Sequence, residues 1–228
     1  MSTHAASDKL FKQLVILAVM KNRLVFLGPP GAGKGTQALI ISRRFSIPRI
    51  ATGDLLRDEI ATGSELGLNA RRYVDDGKLV PDEVVNEILR NRLAELKSGF
   101  IIDGYPRTIE QAKFLDGVTV LDLVLYFDAP EGILVDRIIN RRICPVCNSV
   151  YNTTEYPPKV DNLCDRDRTP LIQRSDDNRE VAEARIRTFW EKTAPLVQFY
   201  FEKNLLAKID AKRKFDQVTG EILVVMNS

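Results

Sequence analysis

The sequence predicts an α/β protein: a parallel five-stranded sheet flanked by helices, with one helical insert and one small β-rich insert. Three observations predict it. Gly28–Thr36 reads G-P-P-G-A-G-K-G-T directly after the apolar run Arg23–Leu27, which is the pattern G-x-x-x-x-G-K-[ST] in its strand–loop–helix setting. The runs Phe100–Asp103, Asp122–Phe127 and Leu205–Ile209 are short and nearly continuously apolar, as strands buried on both faces of a parallel sheet are. Helical stretches alternate with them, over Lys34–Phe45, Asp82–Leu96, Glu131–Arg142 and Arg179–Lys203.

Taken in order, the first strand and helix bracket the phosphate loop, so the core is of the P-loop NTPase type. Pro195 is expected to kink or interrupt the last long helix. Two segments break the alternation. Ala51–Val80 is polar and glycine-punctuated and reads as short helical pieces, whereas Ile143–Asp177 carries all three cysteines and four prolines and reads as an irregular β insert. The expected division is a core over 20–50, 81–140 and 178–228, a helical insert over 51–80 and a lid over 141–177. Residues 1–19 are expected to be an extension ahead of a natural start at Met20. Their apolar run, Leu14–Met20, is too short to span a bilayer, which takes about 20 residues, and no small-residue cleavage site follows it.

Bulk properties exclude several chemistries. The net charge of +2 suggests neither a nucleic-acid tail nor a membrane anchor. The one histidine, His4, lies in the extension, so Ser-His-Asp and Cys-His catalysis are excluded. The expectation is a cytoplasmic monomer working with backbone amides, Lys, Arg, carboxylates and metal.

The loop glycines, Gly31, Gly33 and Gly35 around Ala32, let backbone N–H groups converge on phosphate oxygens. Lys34 supplies a charge for the terminal phosphates and Thr36 a hydroxyl for magnesium; the following helix turns its positive end to the same anion. Cys144-Pro-Val-Cys147 is followed after sixteen residues by Cys164-Asp-Arg-Asp167. That spacing suits a closed structural zinc site with three thiolates and one carboxylate. Asp165 competes with Asp167 for the fourth place, and a metal-free lid closed by polar contacts is the rival.

Arg137, Arg141 and Arg142 precede this cysteine cluster and Arg174 and Arg185 follow it. Arg137 and Arg141, four apart, are expected on one helix face. Closing the insert would bring guanidinium forks to a transferring phosphoryl group. Asp103-Gly104-Tyr105-Pro106-Arg107 follows a strand, and with Thr52-Gly53-Asp54 and Arg57 it could form a second anion site facing the first. Two facing sites suggest transfer between nucleotides rather than hydrolysis.

On G-P-P-G-A-G-K-G-T-Q, A-T-G-D-L-L-R, G-K-L-V-P-D, D-G-Y-P-R-T, R-R-I-C-P-V-C, Y-P-P-K and L-I-Q-R-S-D-D, the chain resembles the adenylate kinases, specifically the long form with a zinc-bearing lid, from about Arg23 to Val225. The resemblance implies magnesium-dependent interconversion of ATP plus AMP with two ADP. It implies ATP contacts at Gly31, Ala32, Gly33, Lys34, Gly35 and Thr36, at Arg137 and Arg141, at Val150 and Tyr151 beside the base, and at Arg213. AMP contacts are implied at Thr52, Gly53, Arg57, Lys78, Leu79, Val80, Gly104, Tyr105, Arg107, Gln111, Arg174 and Arg185. Lys34, Arg107, Arg141, Arg174 and Arg185 would surround the transferring group, and Thr36, Asp54 and Asp103 would order water around magnesium. The chain departs from the family pattern in Asp167 for a cysteine, and in Asp210-Ala211-Lys212-Arg213 after the last strand. The alternatives are a nucleoside monophosphate kinase for GTP or UMP/CMP, and a nucleotide switch.

Overall fold

A computed structural model describes residues 20–228; the extension at 1–19 lies outside the described residues. Five parallel strands form the main sheet in the order β2-β3-β1-β4-β7: β1 Arg23–Leu27, β2 Arg49–Ala51, β3 Phe100–Asp103, β4 Leu123–Asp128 and β7 Leu206–Asp210. The apolar runs are strands because both faces are covered. Along β1, Leu24 and Phe26 pack on one side with Leu125 and Phe127. Val25 and Leu27 pack on the other with Ile102 and Val124. The first face is covered by α1 (Lys34–Phe45), α6 (Glu131–Ile139), α7 (Arg179–Thr188) and α9 (Phe215–Met226). The second is covered by α4 (Asp82–Ala94), α5 (Ile109–Val118) and α8 (Pro195–Glu202). The chain runs from β1 past β3 to the edge strand β2 and turns back there, so the helices that follow the neighbouring strands β1 and β3 leave on opposite faces of the sheet. The crevice at the carboxyl ends of these strands is where open α/β sheets bind ligands.

The structure corrects three local expectations. The edge strand β2 has three residues, too few for a periodic signal, and it takes Ala51 from the helical insert. Beyond it the insert is α2 (Thr52–Thr62) and α3 (Glu65–Asp75), closed by Gly63 and Gly77 at φ 70° and 68°. The helix expected over Glu131–Arg142 stops at Ile139. Asn140 caps it, and Arg141–Ile143 becomes β5, paired antiparallel with β6 (Val150–Asn152). Arg137 and Arg141 therefore do not share a helix face, because cross-strand pairing of Arg141 with Asn152 wins over helix continuation.

The helix expected over Arg179–Lys203 divides at a wide turn over Phe189–Thr193, where the Ala194 N–H reaches back to the Phe189 carbonyl at 2.8 Å. Pro195 opens α8, where its missing N–H costs nothing.

Candidate active site

The loop after β1 bends through Gly28, Gly31 and Gly33, all at positive φ. A Cβ on Gly28 would sit 2.7 Å from the Phe127 carbonyl oxygen, and one on Gly31 2.7 Å from that of Leu134. The loop is thus pressed against the chain beyond it. Gly33 caps α1 with no side-chain hydrogen bond, so the first-turn N–H groups face the crevice. Lys34 folds over the loop, its Nζ donating to Gly28 O at 2.6 Å and Pro29 O at 2.8 Å. Burial lowers its pKa to about 7; Asp103 opposes the shift, while Arg107, Arg185 and Arg141 add to it.

Across a cleft of about 730 Å³ lies an arginine–aspartate lattice. Arg49 joins Asp54 at 3.1 Å and Asp103 at 2.7 Å. Asp54 also accepts from Arg57 at 2.5 Å and from Arg174 at 3.0 Å. Burial works against the Asp54 charge, but Arg57, Arg49 and Arg174 outweigh it and hold its pKa down. Arg185 pairs with Asp176 at 2.9 Å, and Arg141 binds Asp177 through both Nε and Nη2. Burial opposes the Arg141 charge, yet Asp177 raises its pKa. Burial and neighbouring arginines push Arg174 to about 10 and Arg185 to about 9. Arg107 donates its Nε–H to Gly104 O at 2.8 Å, and burial lowers its pKa against the pull of Asp103. Seven cations (Lys34, Arg49, Arg57, Arg107, Arg141, Arg174 and Arg185) thus meet four carboxylates (Asp54, Asp103, Asp176 and Asp177). The excess of positive charge makes the cleft an anion receptor.

A smaller cavity of about 60 Å³ adjoins the cleft and shares Arg57, Gly104, Arg107 and Arg185 in its walls. Thr52, Gly53, Lys78, Leu79, Val80 and Gln111 also line it. The Lys78 ammonium, by contrast, is exposed and paired with Asp76. Tyr105 is buried, and its hydroxyl is bound to Asn86 and to the Gln111 carbonyl, so that side chain braces the site from behind.

In the lid, the ligand atoms of Cys144, Cys147, Cys164 and Asp167 lie within 4.8 Å of one another. Cys144 Sγ is 3.4 Å from both Asp167 oxygens, and Cys147 Sγ is 3.5 Å from Cys164 Sγ. A tetrahedral zinc ion, with bonds of about 2.3 Å to sulfur and about 2.1 Å to oxygen, sets such edges at roughly 3.5–3.8 Å, so the donor set is compatible with zinc. Asp165 is turned elsewhere, accepting from the Lys159 N–H at 2.8 Å.

The lid rests on the core at several points. Arg43 of α1 donates to Cys147 O at 2.5 Å, and Tyr156 stacks on Phe215 with ring centres 5.1 Å apart. Arg137 bridges Glu155 at 2.9 Å and Ala211 O at 2.9 Å. Val150 and Tyr151 of the lid line the cleft, and Arg213 lies on its rim beside Asp210 at 3.3 Å.

This cleft joins a phosphate loop to a facing arginine cluster under a four-ligand lid, and the family model "Adenylate kinase" matches residues 26–205. The chain belongs to the adenylate kinase family. It is 44% identical over 214 residues to the adenylate kinase of Acholeplasma laidlawii, covering 91% of this chain and 99% of that protein. The adenylate kinase of Caldanaerobacter subterraneus subsp. tengcongensis is 46% identical over 207 residues, covering 88% and 94%. That of Thermotoga maritima is 44% identical over 211 residues, covering 89% and 96%.

Of the residues singled out from the sequence, Lys34, Arg57, Arg107, Arg141, Arg174 and Arg185 come together in this one cleft. Arg49, Asp176 and Asp177, the partners that fix the arginines, were not among them. The pair Asp176-Asp177 stands in R-S-D-D beside Arg174, a usable signal. Arg49 stands in an edge strand with none.

Proposed function

We propose that the chain catalyses reversible phosphoryl transfer from ATP to AMP, giving two ADP. The observation that carries this reading is the facing of two anion sites across one cleft: Lys34 and the loop on one side, Arg57 and Arg107 on the other. ATP phosphates lie on the N–H groups of Gly31–Thr36, with the base between Val150, Tyr151 and Arg213. AMP lies against Thr52, Gly53, Arg57, Lys78, Leu79, Val80 and Gly104, with Gln111 at its base. In this reading 52–80, beyond β2, is the AMP-binding insert, 141–177 the lid and the remainder of 20–228 the core.

The acceptor is already a phosphate oxygen, so no general base is needed. Lys34, Arg107, Arg141, Arg174 and Arg185 position the groups in line and meet the charge that develops on the equatorial oxygens. Asp54, Asp176 and Asp177 hold the guanidinium groups in place until phosphates compete for them. The lid excludes water, which would otherwise accept the phosphoryl group.

Thr36, Asp54 and Asp103 offer hard oxygen atoms suited to ordering the water around magnesium; the Asp103 carboxylate lies over Gly35, 3.1 Å from the place of a Cβ there. Magnesium, when bound, neutralises phosphate charge. Cys144, Cys147, Cys164 and Asp167 would hold zinc as a structural ion, since four protein ligands leave no open position. The same reading makes the enzyme a cytoplasmic monomer acting on free nucleotides, in keeping with a net charge of +2; no helix among the described residues is long and apolar enough to cross a membrane. A coupled assay with magnesium and ATP tests it. ADP formation should require AMP, and ATP turnover indifferent to AMP would overturn the reading.

A further inference from the structure

We propose that Asp82 is a positioning residue for acceptor-base selection, acting through Gln111. The proposal rests on the reading of the small cavity as the acceptor site. Gln111 is 2% exposed and lines that cavity together with the apolar side chains of Leu56, Val80 and Val85, walls suited to a flat aromatic base.

The carboxamide is held at both ends by partners that can each play only one part. The Arg107 backbone N–H donates to Gln111 Oε1 at 2.7 Å, and a peptide N–H cannot accept. Gln111 Nε2 donates to Asp82 Oδ1 at 2.7 Å, and an ionised carboxylate cannot donate. A flipped amide would set N–H against N–H at one end and oxygen against oxygen at the other, so one orientation is fixed. The rest of the residue is fixed too. Its backbone N–H donates to Thr108 Oγ1 at 3.1 Å, and its carbonyl accepts from Tyr105 at 3.0 Å. Thr108 in turn donates to Asp82 Oδ2 at 2.6 Å. Asp82 therefore ties the cap of α5 and the Gln111 amide to the first turn of α4.

The chemistry follows from this orientation. An amide oxygen keeps a second lone pair and an amide nitrogen a second hydrogen. An amide that cannot rotate offers a base one arrangement of acceptor and donor. Adenine carries an N6 amino donor beside the N1 acceptor. Hypoxanthine carries the reverse, an O6 acceptor beside N1–H. A freely flipping glutamine would serve both, whereas one locked by Asp82 and Arg107 serves one and leaves the other with unmatched polar groups, which a buried site penalises.

The test compares AMP with inosine monophosphate as acceptor for the wild type, Asp82→Asn and Asp82→Ala, with melting temperature and the KM for ATP measured alongside. Asp82→Asn can present either an oxygen or an NH2 to the amide, and Asp82→Ala presents neither. The expected result is a fall of about tenfold in the AMP preference. It should come mainly through a higher KM for AMP, with kcat, the KM for ATP and the melting temperature close to wild type. In a Gln111→Leu background, Asp82→Asn should change the preference no further, because its effect passes through the amide. That background also serves if Asp82→Ala folds poorly. An unchanged AMP preference in folded Asp82→Asn, or an equal loss with Gln111 already removed, would overturn the proposal. A wild-type protein that turns over ATP without AMP would instead overturn the reading of the site on which it rests.

Discussion

Arg107 stands in a demanding position between the phosphate loop and the helical insert. It is half-buried, its Nε–H is tied to Gly104, and desolvation works against its charge, so it is costly to the fold and useful to an anion. Arg107→Ala is expected to lower turnover by about three orders of magnitude or more while leaving the fold intact; steady-state rates with circular dichroism check this. Lys34 carries a related signature. Its folded pKa of about 7 lies below the ordinary 10.5. Between those values the unfolded chain binds a proton that the folded one does not. Its contribution to stability therefore rises with pH from about 7 to 10.5 and is lost as pH falls through that window. Phosphates bound beside Lys34, as proposed, would restore its charge. Nucleotide binding near pH 8 should then take up a proton, measured by calorimetry in buffers of different ionisation enthalpy, and Lys34→Met should abolish that uptake.

At the scale of elements, the lid is a unit with a very small core of its own, Tyr151 and Leu171 packed around Cys144 and Cys164. Apolar burial of that size cannot by itself hold an insert of 37 residues, 141–177. On the zinc reading proposed above, metal binding coupled to folding would supply the difference. Cys164→Ser is expected to lower the melting temperature more than it lowers activity at low temperature, with zinc content falling in parallel. Scanning calorimetry and metal analysis read both. The cysteine spacing alone makes this element legible, because ligand geometry demands those residues at those intervals. The break between α6 and β5 is not legible, because Glu131–Arg142 has helical periodicity throughout and only the pairing of Arg141 with Asn152 ends it. β2 is invisible for the opposite reason, being too short to carry a period.

At the scale of the whole molecule, the sheet order β2-β3-β1-β4-β7 sets the loops after β1 and β3 side by side, and the two inserts meet over them. Asp54 of the helical insert accepts from Arg174 of the lid, and Arg57 reaches the lid's Asp176 at 3.9 Å. The phosphate loop and D-G-Y-P-R are readable because backbone geometry and charge demand particular residue types at fixed spacing. The carboxylates that hold the arginines are less so, since an aspartate's partner far along the chain leaves no local pattern. Asp176→Asn should raise the KM for AMP several-fold with little change in that for ATP, because it loosens Arg57 and Arg185; initial rates with each nucleotide varied separately measure this.

The most direct measurement of the central claim is the phosphorus NMR spectrum of ATP, AMP and magnesium incubated with the protein. Loss of one ATP and one AMP for every two ADP formed, with no inorganic phosphate, is the expected result. Release of inorganic phosphate with AMP unconsumed would contradict it.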